Sequence, residues 1–254
     1  MASLENAVPQ DAHGQIGSLE RRLTANRIEI DDAGDLKKLF ARLIADIIDA
    51  AGYSRLWEQL KKALPDYEEE FDQTPVFWGL AFDGIREATL FRLARVYDQD
   101  HRALSLLTLL HTLGHHKSFF EDASVLERVS KAYAEEFKAG SHVLDPVQLE
   151  ADIRVVSDSD PLVKKIVLWR SNFGAHFSTK PILAGKKAMN ISITRDDVAT
   201  LVERAFSIYN RYLTAFEGAS YSTKIIGEET HEHLFKLLRA GLQKMKADSD
   251  GQWS

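Results

Sequence analysis

The sequence predicts an all-α protein, built as one main helical bundle with an N-terminal helical extension. Apolar residues recur at spacings of three and four along most of the chain, which is the period of a helix with one buried face. Between these segments stand helix-start signals, each a capping residue followed by proline or acidic residues. The single strand-like run is short, MNISI at 189–193.

Composition narrows the class of protein. The 254 residues carry 32 Lys and Arg against 38 Asp and Glu, a net charge of −6, and 44% of them are hydrophobic, as in ordinary globular chains. The absence of cysteine excludes disulfides and thiolate zinc sites. The acidic balance argues against general coating of nucleic acid but is compatible with a local basic cleft. No apolar run reaches the ~18 residues of a membrane span, and no signal peptide is recognisable, so we expect a cytoplasmic protein.

The first half of the chain predicts a tail followed by a series of helices. Residues 1–34 are expected to form a mobile tail, 35–247 the helical domain and 248–254 a polar C-terminal tail. A helix from Asp35 is expected to end at Gly52, and Ser54 to cap a second helix that Pro65 interrupts. A short helix at 67–71 follows.

A long helix is predicted from Thr74, with Pro75 at its first position. Its buried side is expected to consist of Phe77, Leu80, Ala81, Ile85, Ala88, Phe91, Leu93 and Tyr97. Two further helices are predicted at 105–113 and 123–138.

The second half continues the helical pattern. Asp145 and Pro146 open a helix to about Val156, and the run 158–161 starts the next one. A loop is predicted at 182–193, after which Thr194 caps a helix that Gly218 ends. The last helix is expected from about 228 to 245.

The segment WRSNFGAH at 169–176 is the most informative part of the chain. It places the guanidinium of Arg170 six positions before the imidazole of His176. On a regular helix six positions turn ~600° and rise ~9 Å, so the two side chains do not share a face. Either the helix breaks at Gly174, or twofold pairing of two chains brings both motifs into one cleft. The plainer interpretation is that Arg170 pairs with a carboxylate and His176 caps a helix.

Two arginines and two histidines in one cleft suit metal-free cleavage of RNA. Two imidazoles can remove the proton of the 2′-hydroxyl and protonate the leaving 5′ oxygen. A guanidinium can hold the phosphate oxygens, on which negative charge builds up in the transition state. The RNA supplies its own nucleophile, so neither serine nor cysteine is required. Phosphate-binding glycine loops, the G-x-S-x-G elbow and H-E-x-x-H are absent from the sequence.

The motif resembles the R-x(4–6)-H motif of HEPN domains, all-helical proteins of prokaryotic defence and toxin–antitoxin systems. The runs REATLFRLARVYDQD and SLLTLLHTL resemble the abortive-infection U subgroup, and the likeness spans roughly 36–241 as a helix pattern. The resemblance implies a HEPN-like bundle. It also implies that Arg170 and His176 are catalytic, Arg170 as phosphate ligand and His176 as acid and base. In one HEPN subgroup a tyrosine two residues after the histidine accepts nucleotides, but Ser178 stands there in this chain.

The function implied is a metal-independent endoribonuclease, a toxin or phage-defence effector whose site forms at a homodimer interface. RNA is the expected substrate, an antitoxin protein is a candidate partner, and neither a cofactor nor a metal is expected. Ser171 and Lys180 are predicted to bind substrate. The alternative is a non-catalytic helical module that binds RNA or protein in the same kind of system.

Other clusters admit two interpretations each. His111, His115 and His116, near Glu121 and Asp122, suit either a metal on a helix face or a polar helix end. Trp57, Phe77, Trp78 and Phe82 suit the core better than base stacking. His231 and His233 are expected at the surface. Lys164, Lys165, Lys180, Lys186 and Lys187 suit an RNA-binding rim or a solvated face. Asp98 and Asp100 are candidates to orient a histidine.

Overall fold

The computed structural model describes residues 27–121, 144–174, 191–224 and 230–251. In these ranges the chain forms α-helices joined by loops and short turns, without any strand, so the all-α prediction is confirmed. The helices are α1 (Ala33–Ala63), α2 (Glu68–Asp72), α3 (Pro75–Val96), α4 (Leu106–His115), α5 (Pro146–Val156), α6 (Pro161–Trp169), α7 (Arg195–Glu217) and α8 (Thr230–Gly251). None of the helices in the described ranges combines the length and the apolar character needed to cross a bilayer.

Helices α1 and α3 pack against each other along their lengths and run antiparallel. Near the C-terminal end of α1 the ammonium of Lys61 lies 5.6 Å from the centre of the Phe82 ring. In the middle of α1, Asp46 forms ion pairs with Arg92 and Arg95 near the C-terminal end of α3. A 3₁₀ turn at Leu64–Asp66, with Pro65 at its start, and the short α2 reverse the chain between them. Helices α6, α7 and α8 also contact this pair, whereas α5 packs against α4.

Two buried tyrosines, Tyr97 directly after α3 and Tyr209 on α7, form hydrogen bonds that link the elements of the main core. The Tyr97 hydroxyl donates to the carbonyl oxygen of Leu201 at 2.7 Å, and the Tyr209 hydroxyl donates to that of Phe40 at 3.0 Å. The ring of Phe40 also packs on Tyr209 and Phe216, with ring centres 5.5 Å away in both cases. These contacts fix α7 against α1 and the end of α3.

Most predicted helix starts are confirmed by their caps. Asp145 accepts from the N–H of Val147, and Asp160 accepts from those of Leu162 and Val163. Ser105 and Thr194 each form a reciprocal capping box with the third helical residue. The stop at Gly218 is confirmed as well, since this residue adopts φ 70°, the left-handed conformation that favours glycine.

The predicted break at Gly52 is wrong. Helix α1 continues through Gly52 and Ser54 to Ala63, so Ser54 is an interior residue rather than a cap. A glycine inside a helix costs only about 1 kcal/mol relative to alanine. Burial of Ala50 and Ala51 before it and of Leu60 after it keeps the helix continuous.

The predicted buried side of the long helix is wrong over its first turns. Phe77 and Leu80 are 61% and 70% exposed, whereas Trp78 is buried in a small cluster with Leu60, Phe71 and Phe235. Ala81, Ile85 and Ala88 are partly buried, and Phe91 is 38% exposed. Of the residues predicted to be buried, only Leu93 in the last turns and Tyr97 just after the helix are fully buried. The cause is that these first turns contact the small cluster rather than the main core.

The remaining differences concern where elements begin and end. Residues 191–193 form no strand, and α8 continues beyond 245 to Gly251. Helix α1 begins at Ala33, two residues before its predicted start at Asp35. The helix predicted at 123–138 and most of the tail at 1–34 lie outside the described residues, and the domain boundaries stay predictions.

Candidate active site

Helix α6 leads directly into the motif, and its rotation about its own axis is fixed by the side chains that it buries. Val163, Ile166 and Trp169 face the core, and the Trp169 ring packs edge-on against Phe91 of α3 with centres 5.2 Å away. At the other end the Asp160 carboxylate caps the helix and pairs with Arg204 at 3.1 Å. Because contacts of Asp160 and Trp169 fix the two ends of α6, the position of residue 170 beside α3 is fixed as well.

At Arg170 the α-helix changes into a wider π turn, Arg170–Gly174. Single π turns are rare and recur at functional sites, because the extra residue turns the following side chains to a new direction. The prediction allowed a helix break at Gly174. Instead the regular helix already ends at Trp169, and the motif begins on the wider turn, which itself ends at Gly174.

Arg170 is half-exposed and forms an ion pair with Asp98, just beyond the end of α3. The Asp98 side chain is only 14% exposed and also accepts the N–H of Asp100 at 3.1 Å. Asp98, a candidate to orient a histidine, thus orients the arginine of the motif. Asp100 pairs with Arg102 at 2.8 Å, and hydrogen bonds from that guanidinium hold the pKa of Asp100 well below its usual range.

Ser171, predicted to bind substrate, is exposed on the π turn. Its hydroxyl donates to the carbonyl oxygen of Val167 at 3.0 Å, one turn back along the helix. A serine in this position closes a backbone carbonyl at a helix end. The hydroxyl proton is therefore engaged by the backbone of the preceding helix, and the hydroxyl oxygen is left to accept a hydrogen bond.

Arg170 lines an open cleft of about 310 Å³ between α1, the end of α3 and the segment that leads to α4. We call this the arginine cleft; its lining consists of Arg42, Leu43, Asp46, Arg95, Asp98, Ala103, Leu104 and Arg170. Three guanidiniums and two carboxylates supply its charge, and three apolar side chains form the rest of its wall. A surface of this kind can receive an anion that carries an apolar part.

The end of the motif lies outside the described residues. His176 and Lys180 lie outside the described residues, as do Lys186 and Lys187, so their predicted roles stay predictions. Among the described lysines, Lys164 is exposed and Lys165 pairs with Asp197 of the α7 cap. Lys165 thus has a structural partner.

The histidine cluster on α4 has no metal-site geometry among the described residues, which contain no group of three potential ligands. His111 is buried with its Nδ1 unpartnered, and burial lowers its pKa below the usual value. His115 meets the guanidinium of Arg27, and His116 stacks on Phe119 at 5.2 Å. The cluster packs this end of α4 against the segment before α1.

Sequence reasoning missed the other charged residues of the cleft. Asp46 stands beside Ile47 in the apolar stripe of α1, and a carboxylate in a buried stripe needs a cationic partner. The arginines at 92 and 95 follow one turn apart on α3. That pattern was the available signal, but which helix faces which could not be read from it.

Comparison with known protein families gives a match over most of the chain. A family model described as AbiU2, of the HEPN class, matches residues 33–235, about four-fifths of the chain, and the match includes the positions of both Arg170 and His176. No curated protein and no solved structure matches. By this match, its helical architecture and its motif, the chain belongs to the AbiU2 family of abortive-infection HEPN proteins.

Proposed function

We propose that this protein is a metal-independent endoribonuclease of the HEPN type that acts in the cytoplasm as a phage-defence effector or toxin. The observation that carries the proposal is the position of Arg170. It stands half-exposed at the start of the π turn and lines an open cleft together with two further guanidiniums. A motif arginine that only held the fold together would have no need of such a cleft.

In this proposal Arg170 binds the scissile phosphodiester. Its fork of N–H donors matches two phosphate oxygens, and that contact strengthens as negative charge develops on them. Asp98 holds the guanidinium in place before RNA binds. Because the carboxylate accepts hydrogen bonds from only part of the fork, the remaining N–H groups are available to the phosphate.

His176 supplies the proton transfers. One imidazole accepts the proton of the 2′-hydroxyl, which attacks the adjacent phosphorus, and a second imidazole protonates the departing 5′ oxygen. Each chain supplies one motif histidine, so two motif imidazoles in one site need two chains, and the proposed active form is a homodimer with the motifs meeting at its twofold axis. The products are a 2′,3′-cyclic phosphate and a 5′-hydroxyl.

The test is RNA cleavage in the presence of EDTA by the parent protein and by His176→Ala and Arg170→Ala. We expect each substitution to lower the rate by at least 100-fold while the helix content and the oligomeric state stay unchanged. Arg154→Gln on α5, whose parent side chain is 71% exposed and paired with Glu150, is the matched control and should cleave like the parent. Parent-like cleavage by His176→Ala would refute the site.

The second candidate is a non-catalytic module that binds RNA or protein. It is favoured by the pairing of Arg170 with Asp98, because a satisfied ion pair is also what a structural arginine shows. The same assay separates the two candidates. RNA binding without any cleavage in EDTA would support the module, and toxicity in bacteria that disappears with His176→Ala would support the enzyme.

A further inference from the structure

We propose that Arg42 and Arg95 form a second phosphate subsite for single-stranded RNA in the arginine cleft, beside the scissile phosphate at Arg170. This inference rests on the proposed function, since it assigns the same cleft a second contact with the same substrate. Neither residue belongs to the motif. Arg42 lies on α1 and Arg95 on the last turn of α3.

A single buried carboxylate gathers the guanidiniums. Asp46, whose side chain is 8% exposed, lies 3.3 Å from Arg42, 2.6 Å from Arg92 and 3.0 Å from Arg95. Arg92 also reaches Asp49 at 3.1 Å. The Asp46–Arg92 hydrogen bond raises the pKa of Arg92 further. One carboxylate needs about one bidentate guanidinium to be satisfied, so three around Asp46 exceed what its burial requires.

The balance of charge in and around the cleft is positive. Four guanidiniums, of Arg42, Arg92, Arg95 and Arg170, stand against the three carboxylates of Asp46, Asp49 and Asp98. Each guanidinium has five N–H donors and no acceptor, so donors remain after the carboxylates are served. This local excess contrasts with the overall charge of −6.

Exposure distinguishes the two proposed ligands from the structural arginine. The side chains of Arg42 and Arg95 are 51% and 45% exposed and line the cleft, whereas Arg92 is 30% exposed and does not line it. Arg170 is similar to the first two at 39%. The guanidiniums of Arg42, Arg95 and Arg170 are thus accessible to solvent. Each is held in position by a carboxylate, Asp46 for the first two and Asp98 for Arg170.

The ligand is a single strand rather than a duplex. A volume of about 310 Å³ matches a nucleotide-sized group, at the lower limit of ordinary ligand pockets. The apolar wall of Leu43, Ala103 and Leu104 suits a ribose or the face of a base. Because one cleft holds both Arg170 and this pair, successive phosphates of one strand can contact both.

The test measures RNA affinity apart from chemistry. In a His176→Ala background, binding of a fluorescein-labelled 12-nucleotide oligouridylate is followed by anisotropy in EDTA. Arg42→Gln and Arg95→Gln are each expected to raise Kd about tenfold, the loss of one charge-assisted contact. With the histidine restored, the same variants should raise KM while kcat at saturating RNA stays within twofold. Arg154→Gln is again the control and should leave Kd unchanged.

The outcomes distinguish this inference from the proposed function. If His176→Ala abolishes cleavage but neither arginine variant changes Kd or KM, the subsite is refuted and the enzyme stands. If His176→Ala cleaves like the parent while both variants weaken binding, the nuclease site is refuted and the subsite stands. Arg42→Gln removes the most exposed of the three Asp46 partners, so it tests the subsite even if Arg95→Gln fails to fold.

Discussion

At the scale of single residues, buried carboxylates fix the charged side chains of this fold. Asp152 on α5 is 4% exposed and accepts hydrogen bonds from the Tyr212 hydroxyl at 2.8 Å and the Gln148 amide at 3.1 Å. The guanidinium of Arg211 pairs with the same carboxylate. Asp152 therefore joins α5 to α7 through donors that would be left without an acceptor if it were removed.

Replacing Asp152 with alanine is expected to lower the free energy of unfolding by about 3 kcal/mol, because removing one partner strands the others. The measurement is urea unfolding followed by circular dichroism. Glu150→Ala, on the same helix but with a half-exposed side chain 3.5 Å from Arg154, is the control and should change stability by less than about 0.5 kcal/mol. If both variants lost the same free energy of unfolding, the buried hydrogen bonds of Asp152 would contribute no more to stability than an exposed ion pair.

Of the residues at the candidate site, the sequence predicts the motif arginine but not its partners. Arg170 was predicted from its place in the motif, because the residue types and their spacing carry the chemistry. Its pairing with Asp98 and the grouping of Arg42 and Arg95 around Asp46 were not predicted. The Arg170–Asp98 contact spans 72 positions along the chain, and contacts of that kind depend on how helices pack rather than on any local pattern.

At the scale of elements, helix starts were predictable and helix faces were not. The side chains of Asp145, Asp160 and Thr194 accept hydrogen bonds from backbone N–H groups two or three positions further along the chain. Such caps depend on local sequence alone, so these helix starts could be predicted. Gly52 is the opposite case, since tertiary burial outweighs the small local cost. Phe77 has the same apolar character as buried residues of its helix, but the position of neighbouring helices decides its exposure.

Helix α8 provides an element-scale prediction about pH. It docks through Phe235, which is fully buried, and through Arg239, whose guanidinium donates to Glu70 at 2.6 Å. That hydrogen bond lowers the pKa of Glu70 below its ordinary value of 4.5, while burial opposes it. A carboxylate with a depressed folded pKa stabilises the docked state above pH 4.5, and the stabilisation is lost as the pH falls through the folded pKa.

We therefore expect amide protection in α8, relative to α7 and corrected for intrinsic exchange rates, to fall between pH 6 and pH 3. Glu70→Gln should reduce that protection already at pH 6 and flatten its dependence on pH. Glu232→Gln is the control, because this exposed glutamate pairs with Lys236 of its own helix, at 3.7 Å, and forms no ion pair with another helix in the described part of the chain. A Glu70→Gln protein with the pH profile of the parent would mean that Glu70 does not govern the docking.

At the scale of the whole molecule, an acidic protein is proposed to bind a polyanion. A net charge of −6 opposes non-specific contact with RNA, so binding has to come from the local positive excess in the arginine cleft. Binding carried by a few phosphate contacts differs in a measurable way from binding by a broad basic surface. The difference is the number of counterions released from the RNA.

The dependence of RNA affinity on salt should therefore be shallow. If Arg42, Arg95 and Arg170 each contact one phosphate, the slope of log K against log salt is expected near −2, since each contact on a single strand contributes about −0.7. Arg95→Gln should reduce the magnitude of the slope by about 0.7, whereas Arg154→Gln should leave it unchanged. The measurement is oligouridylate anisotropy in the His176→Ala background over a series of potassium chloride concentrations. A slope of −5 or steeper would place binding on a wider basic surface, because three guanidiniums cannot release so many ions.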